Sequence, residues 1–423
     1  MGATDSLRNA IERTFPDRPF SIELWDGTKV PGTRPGATIS FRSPRAFGHI
    51  LRAPGELGLG RAYVCGDLDV DDIDAVVALL GRWQAPRLGA AAKARLGQAV
   101  LRAHGVHRLP DPPAAELRPR GAKHTKRRDA AAVRHHYDVS NEFFRLFLDE
   151  SLTYSCAYFS GGAETLEEAQ EAKLGMVCRK LGLEPGMRVL DIGCGWGSFA
   201  IHAAREHGVS ALGITLSEPQ AALARERVVD AALADKVEVR VMDYRDLGAE
   251  RFDAVCSIGM FEHVGEANID EYMRLIAGVL KPDAKVLNHG ITHVGSETHI
   301  GGDFSERYVF PDGEILPLSR VILALERAGL EPVHVEGLHR DYAETLRHWA
   351  ARLDQNLEEA ERLGGAERLR VWRLYLRAAR NGFETANTSV FQVLAGRPLS
   401  EPSRSEPATE LSQERASMSA AQT

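Results

Sequence analysis

The alternation of apolar and polar residues in the second part of the chain predicts a sheet interleaved with helices. Apolar runs of strand length recur as RVLDIG (188–193), VSALGIT (209–215), VEVRVMD (237–243), FDAVCSIG (252–259) and KVLNHGIT (285–292). Segments of helical periodicity separate most of these runs. The pattern is typical of an α/β fold with a mostly parallel, doubly wound sheet, which we place in residues 131–395.

The first 110 residues follow a different pattern. Short strand-like runs, FSIELWDG and ATISF, are mixed with helical segments such as DIDAVVALLGRW. This favours a separate small α+β domain over residues 1–110. Prolines followed by a run of like charges predict a linker over residues 111–130. The stretch 396–423 is rich in Ser, Glu, Pro and Ala without apolar periodicity, which predicts a disordered tail.

Composition narrows the class of protein. The 423-residue chain has 44% hydrophobic and 26% charged residues, as globular proteins do. It starts without a secretory signal pattern and has no apolar run of membrane-spanning length, so we expect a cytoplasmic location. The cysteines form no CxxC pair and several histidines show no ligand spacing, so we expect reduced thiols and no metal site. These residues are Cys65, Cys156, Cys178, Cys194, Cys256, His135, His263, His293, His299 and His339.

Positive charge is concentrated in one stretch. The net charge is −7, yet RPRGAKHTKRRDAAAVRHH (118–136) is strongly basic. Such a run either draws a protein to anionic lipid head groups or is a solvated linker. Nucleic acid is not expected as a partner, because the run lacks interleaved aromatic residues and the whole chain is acidic. The cations are Arg118, Arg120, Lys123, Lys126, Arg127 and Arg128.

Three glycines within five residues follow the first apolar run, in VLDIGCGWGSFAIHAA (189–204). We expect a strand to end at Asp191 and a helix to begin near Trp196. Glycine tolerates positive φ and lets a ligand approach the backbone closely. The spacing is GxGxG after an acidic residue, not the GxGxxG of dinucleotide-binding turns. The pattern D-x-G-x-G-x-G resembles the first motif of the S-adenosylmethionine-dependent methyltransferases, whose class I fold is Rossmann-like.

That resemblance implies a set of cofactor-binding positions. The acid that usually binds the ribose at the end of the second strand is replaced by GITLS, so Thr215 and Gln220 are expected to take its place. VMDYRDL follows the third strand, where such enzymes contact the adenine. The full set is Tyr154 and Ser155 at the methionine end, Asp191, Gly193, Gly195 and Gly197 in the turn, Thr215, Gln220, Asp243 and Tyr244.

Further motifs restrict the resemblance to one family among these methyltransferases. HYDVSNEFFRLFLDESLTYSCAYF, GITLSEPQ, SIGMFEHVG, HGIT and HRDYAETLRHW are together similar to the cyclopropane fatty acid synthases and mycolic acid cyclopropane synthases, over residues 131–393. HYDVS, with Tyr137, is expected to order a lid over the cofactor. LGLGRAYVCGDLDVDDIDAVV resembles the small lipid-associated domain that precedes the catalytic domain in the phospholipid-using bacterial branch.

The resemblance also implies the chemistry. Methyl transfer to an unactivated alkene forms a cation that must lose a proton, and the family holds a bicarbonate ion as the base. The positions that hold it correspond here to Cys156, Glu262, His289, Ile291 and Tyr342. Glu262, His289 and Tyr342 would act through their side chains, and Cys156 and Ile291 through backbone groups. A proposed nucleophilic cysteine of some relatives has no counterpart in YLRAARNGFE, which excludes that mechanism for this chain.

The expected acceptor is the cis double bond of an unsaturated phospholipid acyl chain at the inner face of the membrane, which the enzyme would approach peripherally. GDFSERYVFPDGEILPL and FETANTSVFQVL supply apolar side chains for a tunnel around that chain. The product is either a cyclopropane or a methylene-branched chain that a separate reductase could saturate. A small-molecule methyltransferase and a lipid-binding protein with a vestigial cofactor site are the alternatives. A homodimer is compatible with the sequence.

Overall fold

The computed structural model describes residues 2–83, 86–105, 108–117, 121, 123–137, 140–293 and 303–398. The part before residue 106 is called the N-terminal unit. Its elements are α1 Ala3–Thr14, β1 Ser21–Glu23, β2 Lys29–Val30, β3 Thr38–Phe41, α2 Arg45–Arg52, α3 Glu56–Val64, β4 Leu68–Val70, α4 Ile73–Arg82 and α5 Ala90–His104. The four strands form one sheet in the order β2-β1-β3-β4. The helices and this sheet enclose a hydrophobic cluster of their own, with Leu7, Phe20, Phe47 and Val77 among its members.

The second part of the chain is built on an eight-stranded sheet. Its helices are α6 Lys126–Tyr137, α7 Asn141–Arg145, α8 Leu166–Leu181, α9 Ser198–His207, α10 Glu218–Asp230, α11 Phe261–Val264, α12 Ile269–Val279, α13 Asp303–Tyr308, α14 Leu318–Arg327, α15 His339–Gln355 and α16 Leu357–Glu384. Its strands are β5 Arg188–Ile192, β6 Ser210–Thr215, β7 Val237–Val241, β8 Phe252–Ile258, β9 Leu280–His293, β10 Leu316–Pro317, β11 Glu331–Gly337 and β12 Ser389–Gly396. A 3-10 turn covers Tyr244–Asp246.

The sheet order is β11-β12-β9-β8-β5-β6-β7, with β10 beside β9. Strands β9, β8, β5, β6 and β7 pair in parallel. Among the described strands of this sheet, only β12 breaks this arrangement, because it runs antiparallel to both β9 and β11. The expected α/β fold with a mostly parallel, doubly wound sheet is therefore confirmed. The site expected from the glycine turn belongs at the carboxyl edge of this sheet, where β5 reverses direction into α9.

Two boundaries differ from the sequence expectations. The predicted linker of residues 111–130 is helical from Lys126 onward, because Lys126 begins α6. The predicted tail of residues 396–423 begins within the sheet, since Gly396 ends β12, and residues 399–423 lie outside the described residues. Part of the predicted acyl-tunnel segment FETANTSVFQVL is likewise a strand between β9 and β11. The separate folding of residues 1–110 stays a prediction.

Helix α16 contacts the N-terminal unit through several arginine side chains. The Arg370 guanidinium lies over the Tyr63 ring at 4.1 Å, and its Nη2 donates to the Leu68 carbonyl at 2.8 Å. Arg377 and Arg380 both donate to the carboxylate of Asp74, at 3.0 and 2.8 Å. The unit is thus fixed against the second part of the chain by charge-assisted hydrogen bonds.

A buried ion pair joins three parts of the chain. Arg61 of α3 donates to both oxygens of Glu116, at 2.6 and 2.7 Å, and the Tyr308 hydroxyl of α13 donates to the same carboxylate at 3.1 Å. The side chains of Arg61 and Glu116 are 9% and 1% exposed. Removing one member leaves the other charge buried without a partner. This destabilises a protein more than replacing both members with apolar residues does.

We expect Glu116→Gln to lower the free energy of unfolding by about 3–5 kcal/mol, measured by urea denaturation. The matched control is Glu12→Gln, which breaks an exposed pair with Arg8 in the N-terminal unit and should leave the midpoint unchanged. An equal, small effect of both substitutions would contradict a structural role for the buried pair.

Candidate functional site

The turn after β5 has the open geometry that its glycines predict. The φ angles of Gly193, Gly195 and Gly197 are +80°, +54° and +81°. The amides of Gly193 and Cys194 both donate to the Ile214 carbonyl, at 2.9 and 3.0 Å, which ties the turn to β6. The strand ends at Ile192 and the helix begins at Ser198, each within two residues of the sequence expectation. The bare backbone faces a cavity of about 820 Å³ that Gly193 and Gly195 line.

Asp191 lies at the base of this turn and also lines the cavity. Its side chain is buried, and Oδ2 has no hydrogen-bond partner among the described residues. Burial raises the pKa of Asp191 to about 7, although the positive charge of Lys173 acts in the opposite direction. A buried, unpaired carboxylate oxygen is costly, so this atom is suited to a polar ligand.

Thr215 and Gln220 are held together at the end of β6. The Thr215 hydroxyl donates to Gln220 Oε1 at 3.0 Å. The Ser217 side chain caps α10 by accepting a hydrogen bond from the backbone amide of Gln220 at 3.4 Å. Gln220 lines the cavity whereas Thr215 does not, so Thr215 fixes the orientation of Gln220.

Asp243 and Tyr244 lie next to the site without lining the cavity. Burial would raise the pKa of Asp243, but hydrogen bonds from Arg245 lower it below the ordinary value. Tyr244 is buried and packs edge-on against Tyr272, with 4.9 Å between ring centroids. Gly197 and Thr215 are the other two predicted cofactor residues that do not line the cavity. Adenine contacts at Asp243 and Tyr244 stay a prediction.

The segment before α8 brings Tyr154 and Ser155 to the lining of the same cavity. The Tyr154 ring stacks on Trp349, with 5.2 Å between centroids. The Gln170 amide donates to the carbonyls of Thr153 and Ser155, at 3.2 and 2.9 Å, and so fixes the backbone. Of the HYDVS segment, residues 138–139 and the side chain of Tyr137 lie outside the described residues.

Glu262 follows the turn after β8, at the start of α11. Its Oε1 accepts from the Ile291 amide at 2.7 Å, while Oε2 is inaccessible to solvent and has no partner among the described residues. Burial raises the pKa of Glu262 to about 7, and the hydrogen bond from Ile291 offsets part of that rise. The Ile291 amide is therefore engaged by Glu262, and a role for a backbone group of Ile291 toward a bound anion stays a prediction.

His289 of β9 is held in one tautomer by a relay from α8. Lys180 Nζ donates to Gln392 Oε1 at 2.6 Å, so the Gln392 amide nitrogen must donate to His289 Nδ1, which lies 3.1 Å away. The proton of the neutral ring then resides on Nε2, which is buried and has no partner among the described residues. Burial lowers the pKa of His289 to about 3, so the ring is a neutral donor at physiological pH.

Cys156 and Tyr342 complete the group of five. Burial raises the pKa of the Cys156 thiol, which donates to the Ala157 carbonyl at 3.2 Å and is therefore not a thiolate. The Tyr342 ring packs against Phe383, with 4.6 Å between centroids. All five predicted catalytic residues line the same cavity as the glycine turn. Their individual roles stay predictions.

Three features of the cavity were not expected from the sequence. Lys173 of α8 lines it as a fully buried lysine, and nothing in its helical context marks it as different from a surface lysine. His263, expected to be an ordinary histidine, also lines the cavity, and burial lowers its pKa to about 4. The N-terminal unit supplies part of the wall. Its contributions are Ile39, Gly55, Glu56, Leu59, Gly60, Tyr63, Leu68, Val70, Ile73, Val76 and Val77.

The expectation of no metal site stays a prediction. Two groups of potential ligand side chains, Cys178 with His202 and His207 and His49 with Cys65 and Asp67, each bring their ligand atoms within 4.8 Å of one another. Neither group lines the cavity. In the part of the chain that the structure describes, no helix combines the length and apolar character needed to cross a bilayer.

Comparison with known proteins now identifies the family. Residues 124–393 match the family model for mycolic acid cyclopropane synthetase. A probable fatty acid methyltransferase of Mycobacterium tuberculosis is 41% identical over 89% of this chain and 91% of its own length. The cyclopropane-fatty-acyl-phospholipid synthase of Escherichia coli K12 is 34% identical over 88% of this chain and 90% of its own.

Solved structures agree with the sequence relatives. The mycolic acid cyclopropane synthase CmaA1, in a complex with SAH and CTAB, is 33% identical and has a TM-score of 0.60. The match covers 63% of this chain and 98% of that chain, so the N-terminal unit is outside most of it. The chain therefore belongs to the mycolic acid cyclopropane synthase family and is an S-adenosylmethionine-dependent methyltransferase.

Proposed function

We propose that this enzyme methylates the cis double bond of an unsaturated phospholipid acyl chain, with bound bicarbonate as the base. One observation carries the proposal. A single cavity extends from the glycine turn and two unpaired polar atoms, Glu262 Oε2 and His289 Nε2, to an apolar wall that includes Leu59, Val76 and Val77 of the N-terminal unit. A long apolar acceptor fits that wall, while the polar atoms lie at its reacting end.

The residues at that end fit a small anion that carries one hydroxyl group. The neutral His289 ring offers an N–H from Nε2, and Glu262 Oε2 offers an acceptor. A donor and an acceptor that line the same cavity can hold and orient such an anion without a permanent protein nucleophile near the methyl donor. When bound, bicarbonate would supply the base that the cationic product requires. The neutral Cys156 thiol avoids competing for the methyl group.

The test is fragmentation mass spectrometry of phospholipid fatty acids from cells that express the protein and receive oleate and methyl-labelled methionine. A labelled ring within a phospholipid chain supports the proposal. A labelled methylene or methyl branch assigns the alternative product, which a separate reductase would saturate. The absence of label from lipids, with label in a soluble amine or alcohol, would refute a lipid acceptor. Bicarbonate is tested separately, by assaying purified enzyme after removal of carbon dioxide and after bicarbonate is restored.

The raised pKa of Glu262, about 7, predicts a pH dependence. Only the ionised carboxylate accepts a hydrogen bond from the anion's hydroxyl through Oε2, so activity should rise with pH as Glu262 loses its proton. We expect kcat to rise between about pH 6 and pH 8, with a limiting slope of about tenfold per pH unit on the acid side. Bicarbonate concentration must be held constant through the series. His289 cannot cause this rise, because its pKa lies near 3. A flat or falling profile would contradict the assignment.

The basic run supports membrane association less than its composition suggests. Lys123 pairs with Glu306 at 3.1 Å and Lys126 with Asp246 at 2.5 Å. Arg128 pairs with the buried Asp312, and Arg118 and Arg120 lie outside the described residues. Arg127 remains exposed. Paired cations contribute little field at a lipid surface, so peripheral binding through this run depends on the remaining charges.

We expect Arg127→Ala to weaken binding to anionic vesicles about fivefold at low salt, since one cation contributes about 1 kcal/mol near such a surface. High salt should abolish the difference, because it screens exposed charges. Vesicle co-sedimentation at two salt concentrations measures this, with Arg8→Ala on α1 as the control for loss of an exposed arginine. Salt-independent binding by both variants and the wild type would exclude the basic run as the membrane contact.

A further inference from the structure

Lys173 has a position that packing alone does not explain. It lies in the middle of α8, its residue is 0% exposed, and its side chain reaches the cavity beside the glycine turn. Its ammonium donates to the Ser155 hydroxyl at 2.9 Å. Burying an ammonium group costs several kcal/mol unless other charges compensate it, so a merely structural lysine at this position is a poor choice.

The compensation inside the protein is incomplete. Burial lowers the pKa of Lys173 to about 8, while the negative charges of Asp149 and Asp191 act to raise it, so the group is mainly an ammonium at neutral pH. The carboxylate of Asp149 already accepts from the amides of Ser151 and Thr153, each at 2.9 Å. Asp191 Oδ2 has no hydrogen-bond partner among the described residues and is not one for Lys173.

The hydrogen-bonding capacity of Lys173 is only partly used within the described residues. An ammonium has three N–H donors. Within the part of the chain that the structure describes, the Ser155 hydroxyl is the acceptor recorded for it. Donors therefore remain for a ligand, and Lys173 lines the cavity together with Ser155, Asp191 and Gly193. The lining of the cavity thus includes a cation and a carboxylate, which complements a ligand that carries both an anionic and a cationic group.

We propose that Lys173 binds the carboxylate of the methionine moiety of S-adenosylmethionine. Asp191, which lines the same cavity, would then face the moiety's ammonium group. Ser155 acts with Lys173, because its hydroxyl is oriented by the same ammonium. This inference rests on the donor being S-adenosylmethionine and is independent of the acyl acceptor.

The test removes either the carboxylate of the ligand or the ammonium group of Lys173, one at a time. Isothermal titration calorimetry measures the dissociation constants of S-adenosylmethionine and of decarboxylated S-adenosylmethionine, which lacks only the carboxylate. For the wild type, loss of the carboxylate should weaken binding about thirtyfold or more. Lys173→Met should weaken S-adenosylmethionine binding to a similar extent and leave the decarboxylated compound unaffected. Lys281→Met, which removes a lysine paired with Asp253 far along the chain, is the control and should change neither affinity.

The pair of ligands separates a binding role from a structural one. A lysine that only supports the fold would weaken both ligands equally when replaced, and that result would overturn the proposal. Equal affinity of the wild type for the two ligands would overturn it without any variant. If Lys173→Met does not fold, Lys173→Gln keeps a hydrogen-bond donor for Ser155, and the same two affinities decide. Carboxylate-dependent binding without lipid methylation would uphold this inference while the proposed acceptor fails.

Discussion

Glu262→Gln is expected to lower kcat by about a thousandfold while the dissociation constant of S-adenosylmethionine stays nearly unchanged. The amide oxygen of glutamine can still accept from the Ile291 amide, as Glu262 Oε1 does at 2.7 Å, so the local backbone keeps its partner. The second position changes from a carboxylate oxygen to an amide nitrogen, which cannot accept a hydrogen bond. The orienting group for the base is lost, whereas the glycine turn is untouched.

Steady-state assays with an unsaturated phospholipid measure kcat, and calorimetry measures donor binding. The matched control is Glu266→Gln, four residues further along the chain, where the glutamate is exposed and paired with Arg320. That variant should keep wild-type kcat. Glu262→Gln with wild-type turnover would show that the carboxylate has no part in the reaction.

Gly195→Val is expected to weaken S-adenosylmethionine binding by about a hundredfold or more, because it alters the backbone against which the donor must lie. Gly195 has a φ of +54°, which a β-branched residue adopts only at a cost of about 1–3 kcal/mol. A side chain there also projects toward Gln220, whose Nε2 would lie 3.9 Å from the first added carbon. The turn must then either distort or obstruct the cavity.

Calorimetry again gives the binding constant, and circular dichroism shows whether the fold persists. Gly248→Val is the control, since Gly248 has no atom within 4 Å of an added Cβ and no positive φ. Donor binding by Gly195→Val at wild-type strength would refute the cofactor role of the turn. If Glu262→Gln and Gly195→Val lost donor binding equally, the division of the cavity into a donor end and a base end would be wrong.

The sequence predicted the parts of this site that depend on local pattern. The turn after β5 was placed correctly because an acidic residue, three spaced glycines and a resumed helical period occur within 16 residues, from Val189 to Ala204. The fold class and the methyltransferase activity followed from several such motifs in order. The five residues expected to hold the base line one cavity, although they are spread from Cys156 to Tyr342.

The features of the site that the sequence did not predict depend on contacts between distant parts of the chain. Lys173 has the sequence context of a surface lysine, and only the packing of α8 against the sheet shows that it is buried. The tautomer of His289 depends on Gln392 and Lys180, which are separated by 212 positions. The contribution of the N-terminal unit to the cavity wall depends on its docking on α16, through side chains such as Arg370 that sequence periodicity cannot pair.

The position of β12 has a consequence for the synthesis of the enzyme. This strand, Ser389–Gly396, is the last element of the described chain, yet it lies between β9 and β11 inside the sheet. Gln392, which orients His289, is part of it. While the ribosome still holds this segment, β9 has an open edge and β11 has no neighbour. The folding chain therefore carries an exposed sheet edge until β12 has inserted, and activity can begin only after that step.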